Sequence, residues 1–178
     1  GAVRDGISTS WEADTKRALD LANRAVAVDD TFGWSYLALS SAYVLKGEHD
    51  RSIAALRKGI RIQPSDSDLH AFLGYNLHLA GRADEAIDAV KKAIRLNPRY
   101  PGNRNVIFLG WAYFTAGRYE DVIATVTLRY ARFLRRGRPP LDYLAAAYAA
   151  TGQDKKARTI MKAYGLLLRS PLQADGGQ

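Results

Sequence analysis

Apolar positions along this chain recur at three- and four-residue intervals, not in alternation with polar ones. Tyr36, Leu39, Ser40 and Tyr43 fall at i, i+3, i+4 and i+7, one face of an α-helix. Ser52, Leu56 and Gly59 do the same a few residues later. The pattern then returns at a nearly fixed interval: Gly47, Gly81, Gly117 and Gly152 are spaced by 34, 36 and 35 residues. Eight residues before each glycine stands a leucine, Leu39, Leu73, Leu109 or Leu144. A small residue follows it (Ser40, Gly74, Gly110, Ala145), then a large one three further on (Tyr43, Leu77, Tyr113, Tyr148). Downstream of the glycines the columns continue with Ser52, Ala86, Val122 and Ala157, then Leu56, Val90, Val126 and Met161. Agreement of this many columns marks an internal repeat.

Each unit predicts a helical hairpin with a short turn. The glycine suits a left-handed C-cap on the first helix. Pro64 and Pro98 stop the second helix, and Ser65-x-x-Asp68 offers a capping box for the helix that follows. Upstream, Ala18, Ala22, Ala25 and Asp30 precede Ser52, Leu56, Gly59 and Pro64 by 34 residues each. Ser10–Val28, with Thr9-x-x-Glu12 as its cap, therefore reads as the second helix of a hairpin whose first helix is missing. This predicts either an array cut from a longer protein or a terminal capping helix. At the other end Ala157, Ile160, Met161, Tyr164 and Leu168 keep one apolar stripe, with a disordered tail beyond. Strand patterning is absent.

These columns resemble the tetratricopeptide repeat, with its Leu-small-x-x-Tyr, Ala, large apolar, Ala and Pro slots, in the form bacterial arrays take. The resemblance implies an all-α, right-handed α-solenoid of stacked hairpins, about four repeats plus an extra N-terminal helix. The expected organisation is a tail at 1–9, an array over 10–170 and a tail at 171–178. Within the array lie a half repeat at 10–31 and repeats at 33–66, 67–102, 103–137 and 138–170. Val122 and Arg129 depart from the pattern, so the third hairpin is expected to pack with a local irregularity.

A stack of this kind leaves its first helices lining a concave inner surface. Subtracting the packing stripe points Trp34, Leu37, Ser41 and Val44 of the first repeat into it. The second contributes Asp68, Ala71, Phe72, Tyr75 and His78. The third adds Arg104, Ile107, Phe108, Trp111 and Phe114, and the fourth Asp142, Tyr143 and Ala146. Such a wall is rich in aromatic rings, and exposed apolar patches of this kind mark binding surfaces. The expected function is a non-catalytic scaffold that holds a peptide or a partner domain; the alternative is that several rings complete the core. Repeats that clamp the C-terminal carboxylate of chaperones carry Lys and Asn at set inner slots. Here those slots hold Leu37, Ser41, Asp68 and Phe72, and only Arg104 fits, so that clamp is not expected.

Composition narrows the classes further. The chain has 178 residues, 25% charged, with no cysteine and a net charge of +8. Disulfides, thiolate catalysis and Cys-type zinc sites are thereby excluded. No apolar run reaches the ~18 residues a membrane helix needs, and no signal core is visible at Gly1–Asp5, so a cytoplasmic location is expected. Five of the positive charges, Arg129, Arg132, Arg135, Arg136 and Arg138, fall within ten positions. They read first as a solvated helix end, and otherwise as a contact for an acidic protein; nucleic acid lacks a supporting motif. His49, His70 and His78 have no partner at metal spacing, and neither a nucleophile elbow nor a phosphate loop is present. No enzymatic activity, cofactor or metal is expected. Two further alternatives remain. The run His78–Ala86 resembles arrays appended to bacterial nucleotide cyclases and winged-helix regulators, which would make this a regulatory module of a signalling protein. Self-association is the other, resting on the unpaired first helix and on Leu166-Leu167-Leu168.

Overall fold

A computed structural model describes residues 11–98, 103–133 and 141–169. Among them the chain forms nine helices and no strand. The single helix α1 (Trp11–Val28) is followed by four hairpins. These pair α2 (Gly33–Leu45) with α3 (His49–Ile62), and α4 (Ser67–Leu79) with α5 (Ala83–Leu96). Then come α6 (Asn103–Thr115) with α7 (Tyr119–Phe133), and α8 (Leu141–Ala150) with α9 (Asp154–Arg169). Two compact units divide the chain between Pro101 and Gly102.

The turns follow from the glycine column. Gly47, Gly81, Gly117 and Gly152 sit at φ of 72°, 74°, 69° and 73°, and are the positive-φ residues of the described chain. Only a residue without a Cβ enters that region cheaply. The residue after each glycine then donates its backbone N–H five residues back, as Glu48 does to Tyr43 O at 2.9 Å and Gln153 to Tyr148 O at 2.8 Å. Two orphan carbonyls of the first helix are thereby satisfied and the chain reverses within three residues. At the opposite boundary the cap differs from expectation. Asp66, not Ser65, starts α4: its Oδ1 accepts from the N–H of Asp68 at 2.8 Å and of Leu69 at 3.1 Å. A carboxylate one residue nearer the helix meets the first-turn amides directly, and its charge suits the positive end of the dipole. Thr9, the cap proposed for α1, lies outside the described residues.

Inside each hairpin the two helices cross at the small-residue column. A Cβ added at Gly74 would penetrate Val90 Cγ2 and lie 3.0 Å from Ala86 O. The same position in the third hairpin is roomier. A Cβ at Gly110 would meet only Val126 Cγ2, at 3.6 Å. Val122, the large residue that breaks the column, is fully buried, and no atom of it comes within 4 Å of that Cβ position. In the first hairpin the slot is polar: Ser40 and Ser52 Oγ atoms lie 2.8 Å apart, both fully buried. Asn76 of the next hairpin donates from Nδ2 to Ser40 at 2.6 Å and to Ser52 at 2.7 Å. Beside this network Leu37, Leu56 and Leu69 form a core that joins α2, α3 and α4, with Ile60, Phe72 and Leu73 packed on its edge.

The glycine slots give a paired expectation. Gly74→Ala should lose about 1–3 kcal/mol through overpacking, while Gly110→Ala should gain about 0.5–1 kcal/mol from reduced chain entropy. Urea melts of both variants check this; equal behaviour would mean the two crossings do not differ. The polar slot gives another. Asn76→Leu should cost about 1–3 kcal/mol by stranding buried hydroxyls. Adding Ser40→Ala and Ser52→Ala to it should recover most of that loss in the same assay.

Candidate functional site

The first unit brings its candidate residues to the exposed sides of α2 and α4. Trp34 at the start of α2 is partly exposed, and its Nε1–H donates to Asp66 Oδ2 at 2.8 Å. One carboxylate thus caps α4 with one oxygen and anchors the indole with the other. Ser41 is exposed and returns its hydroxyl to Leu37 O at 3.0 Å. Phe72, Tyr75 and His78 are half-buried along α4. Burial holds the His78 imidazole below its ordinary pKa, because desolvation disfavours the charged ring. Polar and aromatic groups therefore alternate along this strip.

In the second unit the rings touch one another. Trp111 packs against Phe108 with centroids 5.6 Å apart and against Tyr143 at 5.8 Å, both tilted. Phe114 meets Tyr143 edge-on at 5.2 Å and Tyr119 edge-on at 5.4 Å. Five rings from α6, α7 and α8 form one connected cluster, at the separations aromatic pairs prefer. Trp111, Phe114, Tyr119 and Tyr143 are half-buried, each keeping part of its surface exposed, and Arg104 is exposed near the start of α6.

Three of the expected wall residues belong elsewhere. Leu37, 8% exposed, sits in the core with Leu56 and Leu69, Ala71 is fully buried, and Phe108 is buried beneath Trp111. A first helix packs against its own second helix and against the helices of the adjoining hairpin, so its buried stripe is wider than one face. Met161, placed on the α9 packing stripe, is half-exposed. Tyr119 and Asp66 were missed. Tyr119 opens a second helix, a position the repeat pattern does not place on the inner wall. Asp66 carried a signal, since an acidic residue just before Ser67 is an N-cap candidate in its own right. Of the basic stripe, Arg135, Arg136 and Arg138 lie outside the described residues, and Arg129 and Arg132 lie on α7 outside the described side chains; so do Leu166, Leu167 and Leu168 on α9. Among the described residues no group of three His, Asp or Glu side chains is placed to hold a metal ion. No described helix is long and apolar enough to cross a membrane.

With this geometry in place, comparison with known proteins identifies the fold. Residues 35–66 and 67–100 match the tetratricopeptide repeat family model. Among solved structures the chain is similar to the nearly identical TPR-like repeats of a putative kinesin light chain from Podosopora anserina. That match has 18% identity and a TM-score of 0.69, over 89% of this chain and 91% of the other. It is also similar to PilW, a widely conserved type IV pilus biogenesis factor, with 21% identity and a TM-score of 0.80 over 92% and 74% of the two chains. A third likeness is to MamA, at 22% identity and a TM-score of 0.65 over 85% and 86%. Likenesses at these identities establish the fold alone. No curated protein matches the chain.

His78 yields a pH expectation. Its folded pKa lies below the unfolded value, so as pH falls through the ordinary histidine range the unfolded chain takes up the proton first. Stability should therefore decline from pH 7.5 to pH 5.5, and the decline should be smaller in His78→Gln. Urea midpoints at both pH values check this; identical slopes would remove His78 as the cause.

Proposed function

We propose that the chain, whose residues 35–66 and 67–100 match the tetratricopeptide repeat family model, is a non-catalytic interaction scaffold. The aromatic cluster of the second unit is the main contact, with Trp111, Phe114 and Tyr143 receiving apolar side chains of a peptide or a partner domain. The single observation that supports this reading is a connected cluster of rings of which Trp111, Phe114, Tyr119 and Tyr143 keep part of their surface exposed, where a stability role alone would favour burying them fully. In the first unit Trp34, Ser41, Phe72, Tyr75 and His78 form a separate strip, suited to polar and aromatic contacts along an extended segment. We read residues 10–170 as the repeat array, in the half repeat and four repeats set out above, with no cofactor and no reaction.

Among the similar structures, PilW is named as a type IV pilus biogenesis factor. Rings that already satisfy one another are pre-organised, so a guest need not pay for ordering them.

The test is selection of 12-residue peptides from a displayed library on the whole protein. Peptides that bind should carry aromatic or branched apolar residues. Trp111→Ala should weaken them by about 30-fold, the loss of a hot-spot side chain worth about 2 kcal/mol. Leu128→Ala, at an exposed position outside the cluster, should leave binding unchanged. Circular dichroism should show the helix content of Trp111→Ala preserved. A library yielding no binder, or binders indifferent to Trp111→Ala, would overturn the proposal.

A further inference from the structure

The second helices of the first unit carry cations in repeat register. Arg57, Lys58 and Arg61 of α3 recur 34 residues later as Lys91, Lys92 and Arg95 of α5. Each triple falls inside an arc of about 100° on its helix and spans about 6 Å of helix length. All but the half-buried Lys91 are exposed. Arg57 Nη2 reaches Glu85 Oε2 at 3.1 Å, a contact that links α3 directly to α5. Lys58 Nζ lies 4.8 Å from the centroid of the Tyr36 ring. Arg61, Lys92 and Arg95 make no ion pair among the described residues.

Helix-end electrostatics explains only part of this pattern. The dipole favours cations in the last turn, which holds Arg61 and Arg95. The other four stand a turn earlier, where like charges at i and i+4, Arg57 with Arg61 and Lys91 with Arg95, repel. Packing does not ask for them either, since the repeat carries the positions of the second triple onto Thr127, Leu128 and Ala131 of α7. No acid dilutes them: none occurs from Arg51 to Ser65 or from Ala89 to Pro98. A surface that gathers like charges against their mutual repulsion is stabilised by a partner of opposite charge.

We propose that this band docks an acidic segment of another protein, whose carboxylates pair with the Arg and Lys head groups. Three observations choose that occupant. The band is short and bordered, because Asp50 on α3 and Asp84, Glu85 and Asp88 on α5 are exposed on the N-terminal halves of the same helices. A nucleic-acid duplex or a charged membrane extends well past two helical turns and would bring its own phosphates onto those carboxylates. None of the large apolar side chains that stand exposed in the described structure lies on α3 or α5, so the band has neither a base-stacking platform nor a lipid-inserting edge. Nor is any stretch outside the described residues acidic: residues 1–10 hold Asp5, residues 170–178 hold Asp175, and 99–102 and 134–140 hold no acid.

The probe is a fluorescein-labelled octaglutamate peptide, titrated against the full chain by fluorescence anisotropy at about 50 mM and about 200 mM salt. Saturable binding is expected at the lower concentration and should weaken by about fivefold or more at the higher. Octaglutamine should not bind. Arg61→Gln with Lys92→Gln and Arg95→Gln, all at exposed positions, should lower affinity by about tenfold or more and leave the thermal midpoint near that of the parent. Lys155→Gln with Arg158→Gln and Lys162→Gln removes the same net charge from exposed positions of α9 and should leave binding unchanged. Trp111→Ala should also leave it unchanged, which separates this surface from the aromatic cluster. Absence of saturable binding, or equal loss in the two triple variants, overturns the inference. So does a short DNA duplex or a phosphatidylserine vesicle that binds more tightly than the peptide and loses binding in the first triple variant, since nucleic acid or membrane would then be the occupant. A dimer in sedimentation that dissociates in that variant and excludes the peptide overturns it as well, because a second copy would hold the site.

Discussion

The closest approach of two helices in this molecule is set by the smallest side chain between them. In the second hairpin Gly74 admits Val90 and brings the α4 backbone close to the Ala86 carbonyl. Everything outward depends on that separation, because the large residue three positions later, Leu77 in this hairpin, is positioned by how near the second helix comes. The first and third hairpins cross with different volumes. Ser40 meets Ser52 through a hydrogen bond, while a Cβ at Gly110 would meet only Val126 Cγ2, at an ordinary 3.6 Å.

The polar slot adds direction to that packing. Leucines can slide along one another at little cost, whereas Asn76 finds two hydroxyl acceptors at 2.6 and 2.7 Å in only one register of α4 on the first hairpin. Burying three polar groups contributes little net stability when all are satisfied, and penalises any arrangement in which they are not. Asp66 acts similarly at the helix end: the carboxylate that starts α4 also fixes the Trp34 indole of α2. Between them the two devices pin α4 to α2 at both ends of the contact.

Much of this was legible in the sequence, for a physical reason. Turns and crossings are local: a positive-φ glycine, a small residue eight before its turn and a proline past the second helix act within one hairpin, so spacing alone reveals them. The register found from Gly47, Gly81, Gly117 and Gly152 matches the four left-handed residues in the structure. Contacts between hairpins left no such trace. Nothing about Asn76 in isolation tells that it reaches Ser40, 36 residues away. Subtracting one buried face from each first helix leaves Leu37, Ala71 and Phe108 on the open wall, whereas packing on more than one neighbour buries all three. Tyr119 escaped because ring clusters form across helices and ignore the repeat.

In the second unit each ring already has an aromatic neighbour at 5.2–5.8 Å, so part of its surface is shielded and its orientation fixed before any guest arrives. Under the scaffold proposal a guest on the rings adds contacts to a surface that is tolerable alone, because the rings stabilise one another without it. Such a surface favours exchangeable partners, chosen by side-chain fit.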